Sequence, residues 1–277
     1  MNLIAFAIVN QKTMAIQTGA IKYRGSFKSI RNYMNLHDGN TYAGEKGGAN
    51  RDLIMNNPAF VRTRENMVEF GGCGVAVKAL RLGFLNLLPE QSDKHLTARL
   101  MKMVKEVNRH DIEGTKGKRG IFFSDSHTII GKMVLNKLQH VAESLRNAFV
   151  FTHPVGKIDA TLNVTDLLIK PILVPKGATH FRILNHISTI SDYEYSELTR
   201  AYEASSGFNA QSAFKYSEYT AIDAKLTAEL KAEFPVGTII DDACTIIESV
   251  GVEFYACTNT KDYIPLKGGS MMVIDVY

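Results

Sequence analysis

Hydrophobic and polar positions alternate along residues 16–46 in the way that predicts a β-hairpin. The stretch AIKYRGSFKSIRNYMNL contributes alternation and aromatic residues, HDGN supplies a tight turn, and TYAGEKGG returns. Asp38-Gly39 is the strongest short-range hairpin signal in the chain, because such turns need backbone conformations that glycine adopts readily. We therefore predict a β-hairpin arm over residues 14–50.

A helical period takes over near Thr63. Apolar residues recur every three to four positions as far as Leu88, and Pro89 ends the helix. A second helix is predicted from Ser92, a candidate N-cap, and the two form a helical hairpin. The residues of its apolar face are Leu96, Leu100, Met103, Val104 and Val107. We assign a helical segment to residues 51–119, which ends in the basic loop EGTKGKRG at 113–120, the predicted domain boundary.

Residues 120–277 consist mainly of short β-branched or alternating runs separated by Gly, Pro and Asn turns, a pattern typical of a sandwich. Two stretches depart from it. A helix is predicted over 133–149, although its first part also fits a strand, and a second helix is predicted over 217–234. The fold class predicted is α+β: an N-terminal β-hairpin and helical hairpin followed by a β-sandwich-like domain at 120–277.

The composition is that of a globular protein. Hydrophobic residues make up 45% and charged residues 22% of the chain, and no stretch approaches the roughly 18 apolar residues of a membrane span. The start lacks a basic region and a small-residue cleavage site, so we expect residues 1–13 to be a disordered leader and not a secretory peptide. Three cysteines without a CxxC spacing predict reduced thiols in the cytoplasm.

Charge is distributed unevenly. Residues 1–120 hold 19 Lys and Arg against 10 Asp and Glu, whereas residues 121–277 hold 13 against 18. A basic region fits a polyanion such as nucleic acid. Opposite charges at two ends also fit head-to-tail contact between copies of one protein. Two solvated faces without any partner are the third interpretation.

The glycine cluster near residue 72 is the first candidate for chemistry. Gly72-Cys73-Gly74 supplies the G-x-G of a dinucleotide fingerprint, but Val77 stands where the third glycine belongs, and the preceding residues favour a helix over a strand. No Gly-Lys-Ser/Thr follows, so a P-loop is excluded as well. We predict instead that small residues thin the helix so that another element approaches its backbone. These residues are Gly71, Gly72, Gly74 and Ala76.

Other candidates are weaker. Arg62 and Arg64 in RTREN have the side chains of a phosphate clamp, but a helix start with locally paired charges is favoured. The eight histidines form no HxxxH or HExxH spacing, and His180 and His186 are expected to share a strand face without forming a site. Asp241-Asp242 fits a turn or the edge of a strand. The sequence predicts no catalytic residue, cofactor or metal site, although a dispersed active site leaves no motif.

Six stretches together resemble a family of uncharacterised bacterial proteins that begin with a β-hairpin. The stretches are GAIKYRGSFKSI, AGEKGG, NPAFVRTRENMVEFG, VAVKALR, PKGATHFRI and GVEFYACTNTKDYIPL. The resemblance runs from Met14 to the C-terminus and depends mainly on the EKGG…RTREN..EFG series. No activity is assigned to the family, so the resemblance implies no functional residues. It implies Met14 as an alternative start to Met1, and it supports a scaffold role for the glycines and RTREN.

Two functional hypotheses follow. The first is a non-enzymatic assembly protein that self-associates through the hairpin arm and complementary charge, as a subunit of a phage-like particle or filament. The alternative is a nucleic-acid-binding protein that uses basic residues 1–120, with Tyr23, Phe27 and Tyr33 stacking on bases. The expected anion or nucleic-acid contacts are Lys22, Arg24, Lys28, Arg31, Arg62, Arg64, Lys116, Lys118 and Arg119.

Overall fold

The computed structural model describes residues 14–84, 87–152, 156–258 and 262–277. The chain divides into two compact units, the first ending at Val61 and the second spanning Arg62–Tyr277. The helices that follow residue 61 therefore belong to the same unit as the strand-rich part. The expected leader at 1–13 lies outside the described residues.

The first unit, which we call the arm, is a four-stranded antiparallel sheet followed by short helical turns. Its strands are β1 (Met14–Ile16), β2 (Gly25–Phe27), β3 (Ile30–Met34) and β4 (Thr41–Glu45), in the order β1-β4-β3-β2, and helix α1 (Arg51–Asn56) and a 3₁₀ turn (Pro58–Phe60) follow. Strands β3 and β4 are joined through Asp38 and Gly39, and Gly39 has a φ of +70°. The Asp38 side chain accepts a hydrogen bond of 2.9 Å from the Asn40 N–H. The predicted hairpin is confirmed.

The second unit begins with its helices. They are α2 (Val61–Gly83), α3 (Leu88–Gln91), α4 (Leu96–His110), α5 (His127–Ile130) and α6 (Val141–Ser144), with 3₁₀ turns at Arg146–Ala148 and Pro171–Leu173. The predicted apolar face of α4 is confirmed, since Leu96, Leu100, Val104 and Val107 are buried. The predicted N-cap at Ser92 is wrong.

Asp93 explains the later start of α4. Its carboxylate accepts hydrogen bonds of 2.7 Å from the His95 N–H and from the Arg99 guanidinium. The same carboxylate accepts from the Lys137 N–H at 2.9 Å. Residues before Leu96 are therefore tied to a distant loop and are not free to extend the helix.

Ten strands complete the second unit. They are β5 (Phe149–Thr152), β6 (Asp159–Leu167), β7 (His180–Ser191), β8 (Tyr193–Ser196), β9 (Ala201–Ala204), β10 (Ser212–Tyr216), β11 (Thr220–Ala221), β12 (Leu226–Glu233), β13 (Cys244–Cys257) and β14 (Tyr263–Val276). A large sheet has the order β10-β7-β13-β14, with β11 also paired to β7, and a small sheet has the order β12-β6-β5. Strands β8 and β9 form a separate pair, and every pairing is antiparallel.

The large sheet is the middle of three layers. Side chains alternate between the two faces of a strand. Side chains on opposite faces of β7 therefore belong to two different hydrophobic clusters. Leu184 and Ile190 pack with α2 and α4, whereas Phe181 and Ile183 pack with the small sheet. The unit is thus a two-sheet sandwich whose large sheet is covered on its other face by helices. The α+β class with a β-sandwich-like domain is confirmed.

The continuous helix predicted over 133–149 is wrong, and the alternative of a strand for its first part fits better, because Val134 forms an antiparallel bridge with Met272. Leu135 N–H donates to the Met271 carbonyl at 3.3 Å, and Val273 N–H donates to the Met133 carbonyl at 3.3 Å. The backbone near Val134 is therefore satisfied by the edge of β14 and not by a helical turn. Short helical pieces and β5 occupy the remainder.

The helix predicted over 217–234 is also wrong, and its apolar spacing shows why. Apolar residues at intervals of four satisfy a strand as well as a helix, because four is a multiple of two. Leu226 and Leu230 are buried on the inner face of β12, and Ala232 continues the alternation. Pairing with β6 then decides in favour of a strand.

Candidate interaction surface

The buried carboxylate of Glu69 on α2 organises the basic loop at 113–120. It accepts hydrogen bonds from Arg119 Nε and Nη2, each at 2.7 Å, from the Gly117 N–H at 2.8 Å, and from Lys105 Nζ. Burial alone would raise the pKa of Glu69, but these hydrogen bonds outweigh it and lower the pKa to about 2. Glu69 is therefore a permanently ionised structural anchor.

This anchor changes the expected role of the loop. Arg119 was predicted as an exposed anion contact, but its guanidinium is held by Glu69, and its carbonyl accepts from Tyr202 Oη at 2.8 Å. Lys118 forms an ion pair with Glu197 and lies 5.4 Å from the centre of the Tyr195 ring. Lys116 remains an exposed basic side chain of this loop. Arg119 is thus corrected from a surface contact to a partly buried ion-pair partner.

Some glycines of α2 admit close neighbours, as predicted, and others do not. A Cβ added at Gly72 would lie 2.2 Å from the Tyr202 ring, so a side chain from β9 occupies that space. A Cβ at Gly83 would lie 3.1 Å from Ser188 on β7. Gly71 faces open space, and Gly74 is at ordinary contact distance from a methionine. The scaffold prediction is confirmed at Gly72 and is wrong at Gly71.

The local-pair interpretation of RTREN is confirmed at its first arginine. Arg62 Nη1 lies 2.7 Å from Glu65 Oε2, an i,i+3 pair at the start of α2. Arg64 is half-buried on the same helix. The Arg62–Glu65 pair therefore favours the local interpretation over the phosphate clamp.

The remaining polar candidates are structural. His186 is buried and its Nε2 donates to the Gly83 carbonyl at 2.9 Å, whereas His180 lies against Tyr263. Burial of His186 lowers its pKa to about 4, so the ring is neutral. The Asp241 carbonyl accepts from the Cys244 N–H at 3.1 Å, which confirms the turn. Nowhere in the described part of the chain do three or more His, Cys, Asp or Glu side chains form a metal-binding group.

One cluster has no counterpart in the sequence motifs. The Arg182 guanidinium lies 3.9 Å from the ring centre of Tyr216, 4.6 Å from that of Tyr219 and 4.9 Å from that of Tyr255. Glu253 accepts from Arg182 and Tyr216, each at 3.1 Å, and from Tyr255. These residues come from β7, β10, β13 and the segment between β10 and β11, so no spacing could have indicated them. Because the charge and the hydroxyl groups satisfy one another, the cluster fastens β7, β10 and β13 together.

The arm has an exposed surface that is both basic and aromatic. Lys22, Arg24, Lys28 and Arg31 are exposed, and three of them contact side chains of their own sheet. Arg24 Nη2 lies 2.9 Å from a methionine sulfur, and Lys28 and Arg31 lie 5.7 Å and 5.5 Å from aromatic ring centres. The four predicted contacts of the arm lie within or next to β2 and β3, whereas Arg62, Arg64, Lys116, Lys118 and Arg119 are in the second unit.

The arm also lacks a core. Among residues 14–61 the single buried residue is Thr41. The pairing register places Phe27 beside Ile30 on one face and Ile16 in line with Tyr33 on the other. Phe27 is 69% exposed and Ile16 is 50% exposed. Both faces of the sheet therefore present apolar side chains to solvent.

Charge differs between the outer layers of the second unit. Residues 62–110, which include α2 and α4, contain nine Lys and Arg against five Asp and Glu. The strands β6 and β12 of the small sheet contain four Asp and Glu against one Lys. The helical layer is thus basic and the small sheet acidic.

Comparison with known proteins adds no relative: no family model matches the chain, and neither a curated protein nor a solved structure is similar to it. The resemblance to uncharacterised bacterial proteins stays a prediction. No helix in the described part of the chain is long and apolar enough to cross a membrane. The class defined so far is a mixed α+β protein with a coreless β-arm and a three-layer helix–sheet–sheet unit.

Proposed function

We propose that this chain is a non-enzymatic assembly protein that self-associates through its arm and through complementary charge, as a subunit of a phage-like particle or filament. The hypothesis makes the arm the segment that one copy lays on another. The three free cysteines of the chain suit assembly in the reducing cytoplasm.

The coreless arm is the observation that carries this proposal. A small sheet needs an apolar face packed against something else to be stable in water. A segment of 48 described residues with a single buried residue lacks that packing. Its exposed Phe27 and Ile30 would be buried if a neighbouring copy covered their face of the sheet, and Ile16 if a copy covered the other face. Each transfer would favour association by about 25 cal/mol per Å² of apolar surface.

The charge of the second unit supports a repeated contact. A basic helical layer and an acidic small sheet are different surfaces, and head-to-tail contact between them is heterologous. Heterologous contacts close into rings or extend into filaments. Such contacts suit particles and filaments better than they suit a two-fold dimer.

Sedimentation velocity over a wide concentration range tests the proposal. We expect the intact chain to form oligomers, and the double variant Phe27→Ser/Ile30→Ser to shift toward monomer, because both side chains lose apolar surface that the contact would bury. The control is Ile172→Ser/Leu198→Ser, which removes from the second unit two apolar side chains that are even more exposed. A strict monomer at high concentration, unchanged by removal of residues 1–50, would overturn the proposal.

Nucleic-acid binding is a second candidate, favoured by the exposed basic and aromatic side chains of the arm. Tyr23 is 67% exposed and stands beside Lys22 and Arg24, which suits stacking on bases with phosphate contacts. A gel-shift series at rising salt tests it, because the logarithm of a binding constant that depends on phosphate contacts falls linearly with the logarithm of the salt concentration. Absence of binding at low salt would remove this candidate.

A further inference from the structure

A groove on the helical layer combines an apolar floor with a basic rim. It has a volume of about 300 Å³ and lies between α4, α5 and the segment that follows α5. Leu100, Ile129 and Met133 contribute to its floor. Its rim carries Lys102, Lys132, Lys137 and Arg99, with Glu106 as the one carboxylate among the lining residues.

The three lysines of this rim are available to a partner. Lys102, Lys132 and Lys137 are exposed, and no carboxylate in the described part of the chain pairs with them. Arg99 differs, because it is bound to Asp93 and donates to the carbonyls of Val134 and Leu135. The arginine therefore shapes the groove, and the lysines give it charge.

The loop at 235–242, between β12 and β13, has the complementary composition. Val236 and Ile239 are almost fully exposed, and Asp241 and Asp242 are exposed beside them. No described cation pairs with either aspartate. Two exposed aliphatic side chains next to two unpaired carboxylates are the chemistry that an apolar floor with a lysine rim would accept.

The loop is also held in one shape. Thr238 closes its first turn, with the N–H 3.1 Å and Oγ1 2.7 Å from the Pro235 carbonyl. Gly237 has a φ of +87° within that turn. Ile240 points inward and packs against a core cluster, so its neighbours are presented outward. A preorganised loop loses less conformational entropy when it docks.

We infer that the 235–242 loop of one copy docks in the α4–α5 groove of a second copy, with Val236 and Ile239 on the apolar floor and Asp241 and Asp242 facing Lys102, Lys132 and Lys137. The inference rests on the proposed function and names one interface for it. In a head-to-tail arrangement this contact is heterologous and repeats from copy to copy.

Charge reversal on each side tests this interface in the full chain. The groove variant is Lys102→Glu/Lys132→Glu/Lys137→Glu, and the loop variant is Asp241→Lys/Asp242→Lys. Each alone brings like charges together, so we expect the association constant from sedimentation velocity to fall roughly ten-fold or more. An equimolar mixture should recover association, because each loop then meets a groove of opposite charge.

A matched control separates this docking from general attraction. Lys170→Glu/Lys176→Glu/Lys267→Glu makes the same change in net charge on exposed side chains that do not line the groove. This control should associate like the unmodified chain. In its mixture with the loop variant, the reversed loops meet only basic grooves, so the loop variant should shorten the assemblies and not restore them. Thermal unfolding checks that every variant remains folded.

The outcomes distinguish the inference from the proposed function. If the unmodified chain assembles and the groove and loop variants assemble equally well, the docking is overturned and assembly stands. If the unmodified chain is monomeric, the proposed function fails, and a cyclised peptide of residues 234–243 then tests the groove by fluorescence anisotropy. Peptide binding that the groove variant weakens upholds the docking, whereas absence of binding at millimolar peptide overturns it.

Discussion

Two buried carboxylates, those of Glu69 and Glu248, differ in whether hydrogen bonds compensate their charge. Glu69 accepts from Arg119, Lys105 and Gly117, so its charge is compensated. Glu248 on β13 is buried on the inner face of the sandwich, and neither of its carboxylate oxygens has a hydrogen-bond partner among the described residues. Burial and the charge of Asp275 raise the pKa of Glu248 to about 8.

Removing the Glu69 carboxylate should destabilise the second unit strongly. Glu69→Ala leaves Arg119 and Lys105 without their partner in a partly buried site, and breaking such a pair costs about 3–5 kcal/mol. Glu65→Ala is the control, because it breaks the exposed pair with Arg62 and should cost less than about 1 kcal/mol. Urea unfolding measures both losses, and equal losses would contradict the anchoring role of Glu69.

Glu248 should make stability depend on pH. The folded state binds its proton more tightly than the unfolded state, whose pKa is the ordinary 4.5. Stability therefore falls as pH rises from about 4.5 to 8, by at most about 1.4 kcal/mol per pH unit. His186, with its pKa lowered from 6.5 to about 4, acts in the opposite direction between those two values, so the Glu248 effect stands alone above about pH 6.5.

Glu248→Gln should remove this dependence. Between pH 6.5 and 8 we expect the free energy of unfolding of the unmodified chain to decline and that of the variant to remain level. Glu229→Gln, an exposed position on the small sheet, should behave like the unmodified chain. An unchanged decline in Glu248→Gln would show that another group titrates.

At the scale of elements, α2 has apolar residues both on its buried side and on its exposed side. One side is buried against β7 and β9, where Gly83 and Gly72 allow contact with Ser188 and Tyr202. The other side exposes Val61, Val68, Val75 and Leu82, which recur at intervals of seven. Residues seven apart lie on the same helix face, so α2 carries a second apolar stripe, and a neighbouring copy could cover it.

Neighbouring glycines of α2 should respond oppositely to alanine. Gly72→Ala places a methyl group 2.2 Å from the Tyr202 ring, and such overpacking costs about 1–3 kcal/mol. Gly71→Ala meets open space and should stabilise the helix by up to about 1 kcal/mol. Thermal or urea unfolding of the two variants provides the comparison, and a shift of the same sign in both would contradict the packing described for Gly72.

At the scale of the whole molecule, charge is arranged by layer, and assembly should respond to salt. At about 0.15 M the Debye length is near 8 Å, so exposed pairs are screened and buried apolar contacts persist. Raising salt from low to physiological strength should therefore lower the association constant. Some self-association should remain, because apolar contacts are not screened. Sedimentation velocity at two salt concentrations checks this, and identical distributions would leave the charge layers as solvated faces.

The basic loop must be altered with care in such experiments. Lys116→Glu/Lys118→Glu changes exposed side chains and should leave the second unit folded. Adding Arg119→Glu would place a carboxylate against the buried Glu69, so we expect that triple variant to unfold. Loss of assembly in the triple variant would therefore report on stability and not on an interface.

The sequence by itself determined the features that depend on neighbouring residues. The Asp38-Gly39 turn, the apolar face of α4 and the many short strands all follow from local periodicity and turn chemistry, and the structure contains each of them. The same local reasoning failed over 217–234, because a spacing of four suits a helix and a strand equally. Pairing with β6 resolved that ambiguity, and β6 lies some sixty residues away along the chain.

Only the tertiary structure decided which charged residues are available at the surface. Arg119 and Lys116 look alike in the loop EGTKGKRG, yet Glu69, fifty residues earlier, binds the first and not the second. The groove and the 235–242 loop are likewise assembled from separate segments, so no motif could have indicated their complementarity. Contacts between distant residues depend on how the layers pack, and a charge that this packing buries must be paired, as in Glu69, or neutralised, as in Glu248.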